Sequence, residues 1–463
     1  MIEMNVRTVA EVTGGRLIQN GMNTRISGFS TDSRSLQPGD LFIPLRGEHF
    51  DGHDFLAQSA QHGAAACLSE EMVGGLTIPV IKVEDTLKAL GDLAAAVRKS
   101  FNGPVIGITG TTGKTTTKEM LASILMRTGD GLKSAGNYNN MVGVPLTLFG
   151  LQENHQWAVV EMGMSGRGEI ARLTEIAAPQ IGVITNIGRA HLDSLSGIDA
   201  VARAKGELFA NLSAGGTALV NADDPYVLQL PVANGVNRVL YGTSQQAKVR
   251  CEKISASNGA VKFVLRISGE ALIVRLPLPG RHNVMNALAA AAVALELGVS
   301  SDDIVAGLES FKPCPGRMEL VGLPNDILLL EDSYNANPLS MRAALDALHD
   351  LGGQGRRIAL LGDMLELGLE AKELHREIGT IAVDYVDWLF VFGELAREIG
   401  RGAIDAGFNE THVVVGESHA AIAAKLIEML QPGDRVLIKG SRGMHLEKVA
   451  SLLRSSAAQQ DSE

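Results

Sequence analysis

Residues 104–119 read Pro-Val-Ile-Gly-Ile-Thr-Gly-Thr-Thr-Gly-Lys-Thr-Thr-Thr-Lys-Glu. Gly110, Thr111, Thr112, Gly113, Lys114, Thr115 and Thr116 follow an apolar, β-branched run and lead into a helical pattern through Met120, Leu121, Ile124 and Leu125. Strand, glycine loop and helix N-terminus together form a cradle whose backbone N–H groups and helix dipole face an anion. Lys114 can neutralise the β- and γ-phosphates of ATP, and the Thr115 hydroxyl can hold Mg²⁺. One position departs from the general pattern G-x-x-x-x-G-K-[ST]: Ile108 stands where glycine is expected. A plain turn into a helix is the alternative, but lysine, hydroxyl and flanking elements agree on a nucleotide triphosphate.

Other polar residues fall at the ends of buried strand patterns. Residues 157–164 end on Glu161, and an acid at the end of a strand beside such a loop supports Mg²⁺. Residues 181–192 carry Asn186 and His191 past an apolar run, where ligands of open α/β sheets gather. A single histidine is more often structural. Asn137, Asn139 and Asn140 suit a ligand-binding loop and suit turns equally. Asn283 and Asn286 open an alanine-rich helix, where Asn283 reads as an N-cap compatible with a nucleotide contact. Lys205, within a helix spanning about 200–209, reads by itself as a solvated surface lysine.

The elements that must position these groups fit a chain of 463 residues, long enough for about three domains of about 150 residues each. Hydrophobic content is 45% and charged content 20%, the balance of an ordinary globular protein. The net charge of -11 argues against general nucleic-acid binding. Cys67, Cys251 and Cys314 lie far apart without metal-ligand spacing and read as reduced packing residues. No basic, apolar leader and no apolar run of membrane-spanning length occurs, so a cytoplasmic protein with no membrane partner is expected. The tail after Arg454 is expected to fray.

Residues 1–83 alternate short strands and helices. Their loops offer Ser30, Asp32, Ser33, Arg34, Asp51 and His53, groups able to grip a uridine diphosphate and equally ordinary as surface loops. Residues 84–314 hold the glycine loop, with four short apolar runs over 237–276 that suggest a small antiparallel addition. The prolines and glycine of 311–319 mark a boundary. Residues 315–463 then alternate strands near 327–332, 357–362, 387–391, 412–415 and 435–439 with helices, a doubly wound, Rossmann-like order. No G-x-G-x-x-G accompanies it, so no dinucleotide is expected. Its strand-end loops carry Asp332, Asn335, Asn337, Lys439, Ser441 and Arg442.

This set of motifs resembles the Mur ligases, the ATP-dependent amide ligases that build the peptide of peptidoglycan. The resemblance rests on the 110–117 loop, Glu161, the 186–191 segment, Lys205 before Leu208 and Phe209, Asn283, Asn286, Arg317 and Asp332, in that order over nearly the whole chain. Segments 332–338 and 362–368 are similar to those of the member that adds a D,D-dipeptide, and the Asp-Asn-Pro-Arg motif of the member that adds a diamino acid is absent.

The resemblance implies an α/β fold in three domains: a UDP-sugar-binding unit (1–83), a central P-loop ATPase (84–314) and a Rossmann-like amine-binding unit (315–463). It implies ATP and Mg²⁺ as cofactors, UDP-N-acetylmuramoyl-tripeptide and D-alanyl-D-alanine as substrates, an acyl-phosphate intermediate and a monomer. Lys114, Glu161, His191 and Lys205 would be catalytic, with a metal on Thr115 and Glu161 and a second near His191 and a carbamylated Lys205. Magnesium prefers oxygen to imidazole, which makes His191 the less secure ligand. Asn283 and Asn286 would contact the nucleotide, with Arg317 on phosphate and Asp332 on ribose. Two alternatives stand beside this reading: another Mur or folylpolyglutamate-synthase-like ligase, and a P-loop binding module that ligates nothing.

Overall fold

The structure is a computed structural model that describes residues 4–18, 21–257 and 259–460, with side chains in the last helix through residue 457. The first and last three residues, which bear on the expected lack of a leader and on the frayed tail, lie outside the described residues. The rest of that tail is ordered differently from the expectation. Glu447–Gln460 is one helix, because Val449, Ala450 and Leu453 bury against the C-terminal sheet. Among the described residues no helix is long and apolar enough to cross a membrane.

The β-branched run of the glycine-loop stretch becomes the strand Val105–Thr109, buried at every position. It sits in a nine-stranded sheet between Ile181–Ile184 and Trp157–Glu161, parallel to both. Because successive side chains face opposite ways, Ile106, Ile108, Val159, Val183 and Leu219 enter one core, and Val105, Ala158, Val160, Ile184 and Val220 enter another. The first core continues into the C-terminal residues Leu330, Met341 and Leu437. The second continues into the N-terminal residues Val6, Leu41 and Ile81, and there Phe29 stacks on Phe149 at 4.1 Å.

The antiparallel addition over 237–276 is smaller than expected. Asn237–Gly242 pairs parallel with Thr217–Asn221, and Val249–Ser257 begins parallel to it. Only Val249–Ser257, Ala260–Ile267 and Glu270–Leu276 run antiparallel. The apolar runs therefore extend the main sheet instead of forming a separate one, since hairpin strands need an edge to cover.

Residues 16–82 form a five-stranded sheet, parallel except for the edge strand Arg16–Leu17. Residues 319–439 form a six-stranded sheet, parallel except for Glu319–Leu323. All three cysteines are free, and burial pushes the Cys67 thiol up to about 12, as for packing residues.

A buried arginine ties the helix Thr86–Lys99 to the central sheet. Arg98 donates to the carbonyls of Ala177 (2.8 Å), Phe101 (2.9 Å) and Ala178 (3.1 Å) and to Gln180 Oε1 (3.2 Å). Arg98→Ala leaves these acceptors without partners in a dry site and is expected to cost about 2–4 kcal/mol. A thermal melt that showed an unchanged midpoint would contradict this.

Candidate active site

The glycine loop is held open before any ligand arrives. Gly110 and Gly113 adopt positive φ of 147° and 80°. A Cβ on Gly113 would stand 2.2 Å from Asn286 Oδ1, and one on Gly110 would stand 1.9 Å from Thr185 Oγ1. Only glycine admits that approach. The strand end of Ile181–Ile184 clamps the loop: Asn186 Oδ1 accepts from the Thr112 N–H at 2.9 Å, and Thr185 Oγ1 donates to the Thr112 carbonyl at 2.6 Å. The helix Lys114–Leu125 starts directly after Gly113, so its dipole points into the loop.

Lys114 Nζ donates to the Gly110 carbonyl at 2.8 Å. Burial pushes its pKa down, opposed by Glu161 and reinforced by Arg317. Glu161 is 1% exposed. Its Oε2 accepts from the Thr115 hydroxyl at 2.8 Å, and its Oε1 accepts from the Asn139 amide at 2.8 Å. Burial pushes the carboxyl up, but Lys114, Lys118 and Arg317 outweigh it, aided by the Asn139 hydrogen bond, and hold it below the usual range. The carboxylate is thus kept ionised in a dry place. Thr115 and Glu161 offer oxygen donors alone, and no group of three or more His, Cys, Asp or Glu among the described residues could cage an ion. That pairing suits a hard cation that keeps water and phosphate as its other ligands.

A cleft joins this loop to the C-terminal strand ends. Its lining includes Thr111–Thr116, Asn139, Glu161, His282, Asn283, Asn286, Arg317, Asp332, Tyr334 and Lys439. Asn283 is not an N-cap: the helix His282–Glu296 is preceded by Arg281 at that position. Asn283 Nδ2 instead donates to the Pro279 carbonyl at 2.7 Å and its Oδ1 accepts from Asn286 at 2.9 Å. The two amides form one hydrogen-bonded unit facing the loop. Burial pushes His282 down to about 4, with Asp332 opposing, so it enters the cleft neutral.

Asp332 is engaged by Lys439 Nζ at 2.5 Å and by the Met318 N–H at 3.2 Å. Lys439 also donates to the Asn335 carbonyl at 2.8 Å. Ser441 Oγ accepts from the Leu365 N–H at 2.9 Å. Asn337 caps the helix Pro338–Asp350 while lining the cleft with Asn335. Arg442 is exposed.

The remaining expected residues stand outside the cleft. His191 lies with Nδ1 2.7 Å from Glu366 Oε2 and adopts a positive φ of 55°. Lys205 is 1% exposed and not solvated, because its helix Ile198–Ala210 turns that side onto the sheet. Burial pushes its amine well below the usual lysine range, and the Lys114 charge adds to the effect. Asn140 Oδ1 accepts from the Val142 and Gly143 N–H groups just ahead of and at the start of the helix Gly143–Phe149, while Asn137 is exposed. Ser30, Asp32, Ser33, Arg34, Asp51 and His53 follow neighbouring strand ends of the N-terminal sheet. Asp32 pairs with Arg34 at 2.7 Å, and Asp51 accepts from His53 Nδ1 at 2.6 Å.

Two groups, one buried behind Glu161 and one lining the cleft, escaped the sequence reading. Lys118 is fully buried, donates to the Ser134 carbonyl at 2.7 Å and lies 3.7 Å from Glu161. Its polarity hid it among surface residues of the helix; only its place one turn beyond Lys114 signals the same face. Tyr334 stacks under the Arg317 guanidinium at 4.0 Å.

Residues 108–294 match the model of the Mur ligase middle domain, 316–442 that of the Mur ligase glutamate ligase domain, and 25–98 that of the Mur ligase family catalytic domain. This chain belongs to the Mur ligase family. Among Mur ligases, a Bacillus subtilis protein named UDP-N-acetylmuramoyl-tripeptide–D-alanyl-D-alanine ligase is 37% identical over 98% of this chain and 99% of its own. A crystal structure of MurF from Acinetobacter baumannii superposes with a TM-score of 0.91 at 34% identity, covering 98% and 99% of the two chains. A Mur ligase of this type from Thermotoga maritima, MurF in complex with ADP, gives 0.84 at 27% identity over 94% and 98%.

Proposed function

We propose that the chain is an ATP-dependent ligase joining D-alanyl-D-alanine to UDP-N-acetylmuramoyl-tripeptide, in the synthesis of peptidoglycan precursors in the cytoplasm. The observation that carries this reading is the cleft itself, which sets a phosphate cradle against the strand ends of a second α/β unit. A nucleotide switch has no need of that second wall. The full-length likeness to relatives of this name supports the choice of substrates. The division into a donor unit (1–83), an ATPase unit (84–314) and an acceptor unit (315–463) is part of the proposal.

The residues account for the chemistry in sequence. Loop N–H groups and Lys114 bind the phosphates of ATP, while Asn283 and Asn286 flank the nucleotide. Arg317 faces the γ-phosphate from across the cleft, and Asp332, oriented by Lys439, accepts from the ribose. The donor carboxylate attacks the γ-phosphorus, ADP leaves, and an acyl phosphate forms. The amine of the acceptor then adds to that carbonyl, loses a proton and expels phosphate. Lys114, Lys118 and Arg317 hold the negative charge that gathers at each stage.

Mg²⁺, when bound, would supply Lewis-acid neutralisation of the phosphate charge. Thr115 and Glu161 would hold it, and His191 and Lys205 are the residues offered for a second ion. Ser30, Asp32, Ser33, Arg34, Asp51 and His53 would meet the UDP-sugar, Asn137, Asn139 and Asn140 the donor peptide, and Asn335, Asn337, Lys439, Ser441 and Arg442 the acceptor side.

Phosphate release tests the reading. It should require ATP, UDP-N-acetylmuramoyl-tripeptide and D-alanyl-D-alanine together, with free amino acids giving poor turnover. Release independent of the acceptor would refute ligation. Joining of a diamino acid to the UDP-muramoyl-dipeptide would refute the substrate assignment while leaving a ligase.

A further inference from the structure

The Tyr334 ring serves two cations. The Arg317 guanidinium carbon lies 4.0 Å from its centroid and that of Arg442 lies 5.4 Å from it. Among the described residues neither guanidinium has a hydrogen-bond or ion-pair partner, unlike their neighbours. Lys439 is occupied by Asp332 and the Asn335 carbonyl, and the Ser441 hydroxyl by the Leu365 N–H and the Ala336 carbonyl. Of the basic and hydroxyl groups of 439–442, Arg442 alone keeps its donors free. An aromatic face holds a guanidinium plane without consuming its N–H donors. Tyr334 and Arg317 line the cleft, and the exposed Arg442 lies against the same ring.

We propose that Arg442 recognises the terminal carboxylate of the incoming dipeptide, and that Tyr334 is a positioning residue that fixes Arg442 there while holding Arg317 over the phosphates. The inference rests on the ligase reading above and adds the basis of acceptor recognition. An amine acceptor with a free carboxylate brings one negative charge into a site already crowded with phosphate. The two charges need separate cations, and a shared ring sets the spacing between them. A planar fork also matches a carboxylate with two parallel hydrogen bonds.

The test compares D-alanyl-D-alanine with D-alanyl-D-alaninamide, which lacks the carboxylate. The wild-type protein should favour the acid by about 10²-fold in kcat/KM. Arg442→Ala, an exposed change compatible with folding, should bring that preference to within about 3-fold, mainly through the KM of the acid. Tyr334→Leu should weaken both arms, raising the acceptor KM and reducing displacement of a fluorescent ATP analogue by ATP, each by about 10-fold. Tyr334→Phe keeps the ring and should recover most of both losses. An undiminished preference in Arg442→Ala overturns the carboxylate assignment, and unchanged acceptor KM and nucleotide binding in Tyr334→Leu overturn the positioning role. Failure of the wild-type protein to ligate either acceptor would remove the ligase reading and this inference with it, a result distinct from ligation with unaltered discrimination.

Discussion

Lys205→Ala is expected to lose most turnover, roughly 10²-fold or more, and millimolar formate or acetate to return part of it. The argument is electrostatic. A lysine 1% exposed, near Lys114 and without an anionic partner among the described residues, is costly to keep protonated. Its neutral amine can add to CO₂, forming an N–C bond and releasing a proton, and the product is an anionic oxygen ligand. Such a group would offset the Lys114 charge and favour a hard divalent cation. Small carboxylates fit the space that alanine leaves. Two measurements decide the matter: phosphate release against formate concentration, and a ¹³C carbamate resonance in protein equilibrated with ¹³C-bicarbonate. Absence of both the resonance and the rescue would leave Lys205 an unmodified buried amine.

The second large effect belongs to the loop. Lys114→Ala and Glu161→Ala should each reduce kcat/KM by about 10²-fold or more, the scale of losing one preorganised charge at a phosphoryl transition state. The two should differ in what accompanies that loss. Without Glu161, buried Lys114 loses its carboxylate counter-charge and Lys118 keeps only Glu119, at 3.2 Å, so this variant should also melt at a lower temperature. Glu161→Gln keeps the Asn139 and Thr115 contacts in part and separates the charge from the packing. Near-normal turnover in a folded Lys114→Ala protein would contradict the site.

Much of this architecture was legible because the relevant signals are local. The β-branched run before the loop and the C-terminal strands near 327–332 and 435–439 all follow from patterns within ten residues. What failed depends on distant partners. Lys205 and Lys118 look solvated in sequence, because polarity says nothing of a helix face that turns inward over a sheet. Asn283 has the composition of a cap, yet its amide is committed to Pro279 and Asn286. The His191 partner Glu366, 2.7 Å away, was likewise illegible, because it lies far along the chain on a strand-end loop of the C-terminal sheet. Tyr334 lies inside the 332–338 segment, but its place beside two guanidinium groups exists only in three dimensions.

The central sheet, with one face continuous with the N-terminal core and the other with the C-terminal core, has a consequence for biosynthesis. Val6, Val9, Leu41 and Ile81 share their core with Val144, Leu148 and Val220, and Phe29 finds its stacking partner only at Phe149. On the ribosome these early residues emerge well before the side chains that cover them. The N-terminal unit must therefore wait with apolar surface bare until the central strands have been translated. Nascent chains halted before residue 144 are the ones that a trigger-type chaperone would hold, and completion of the middle unit is what lets both ends settle.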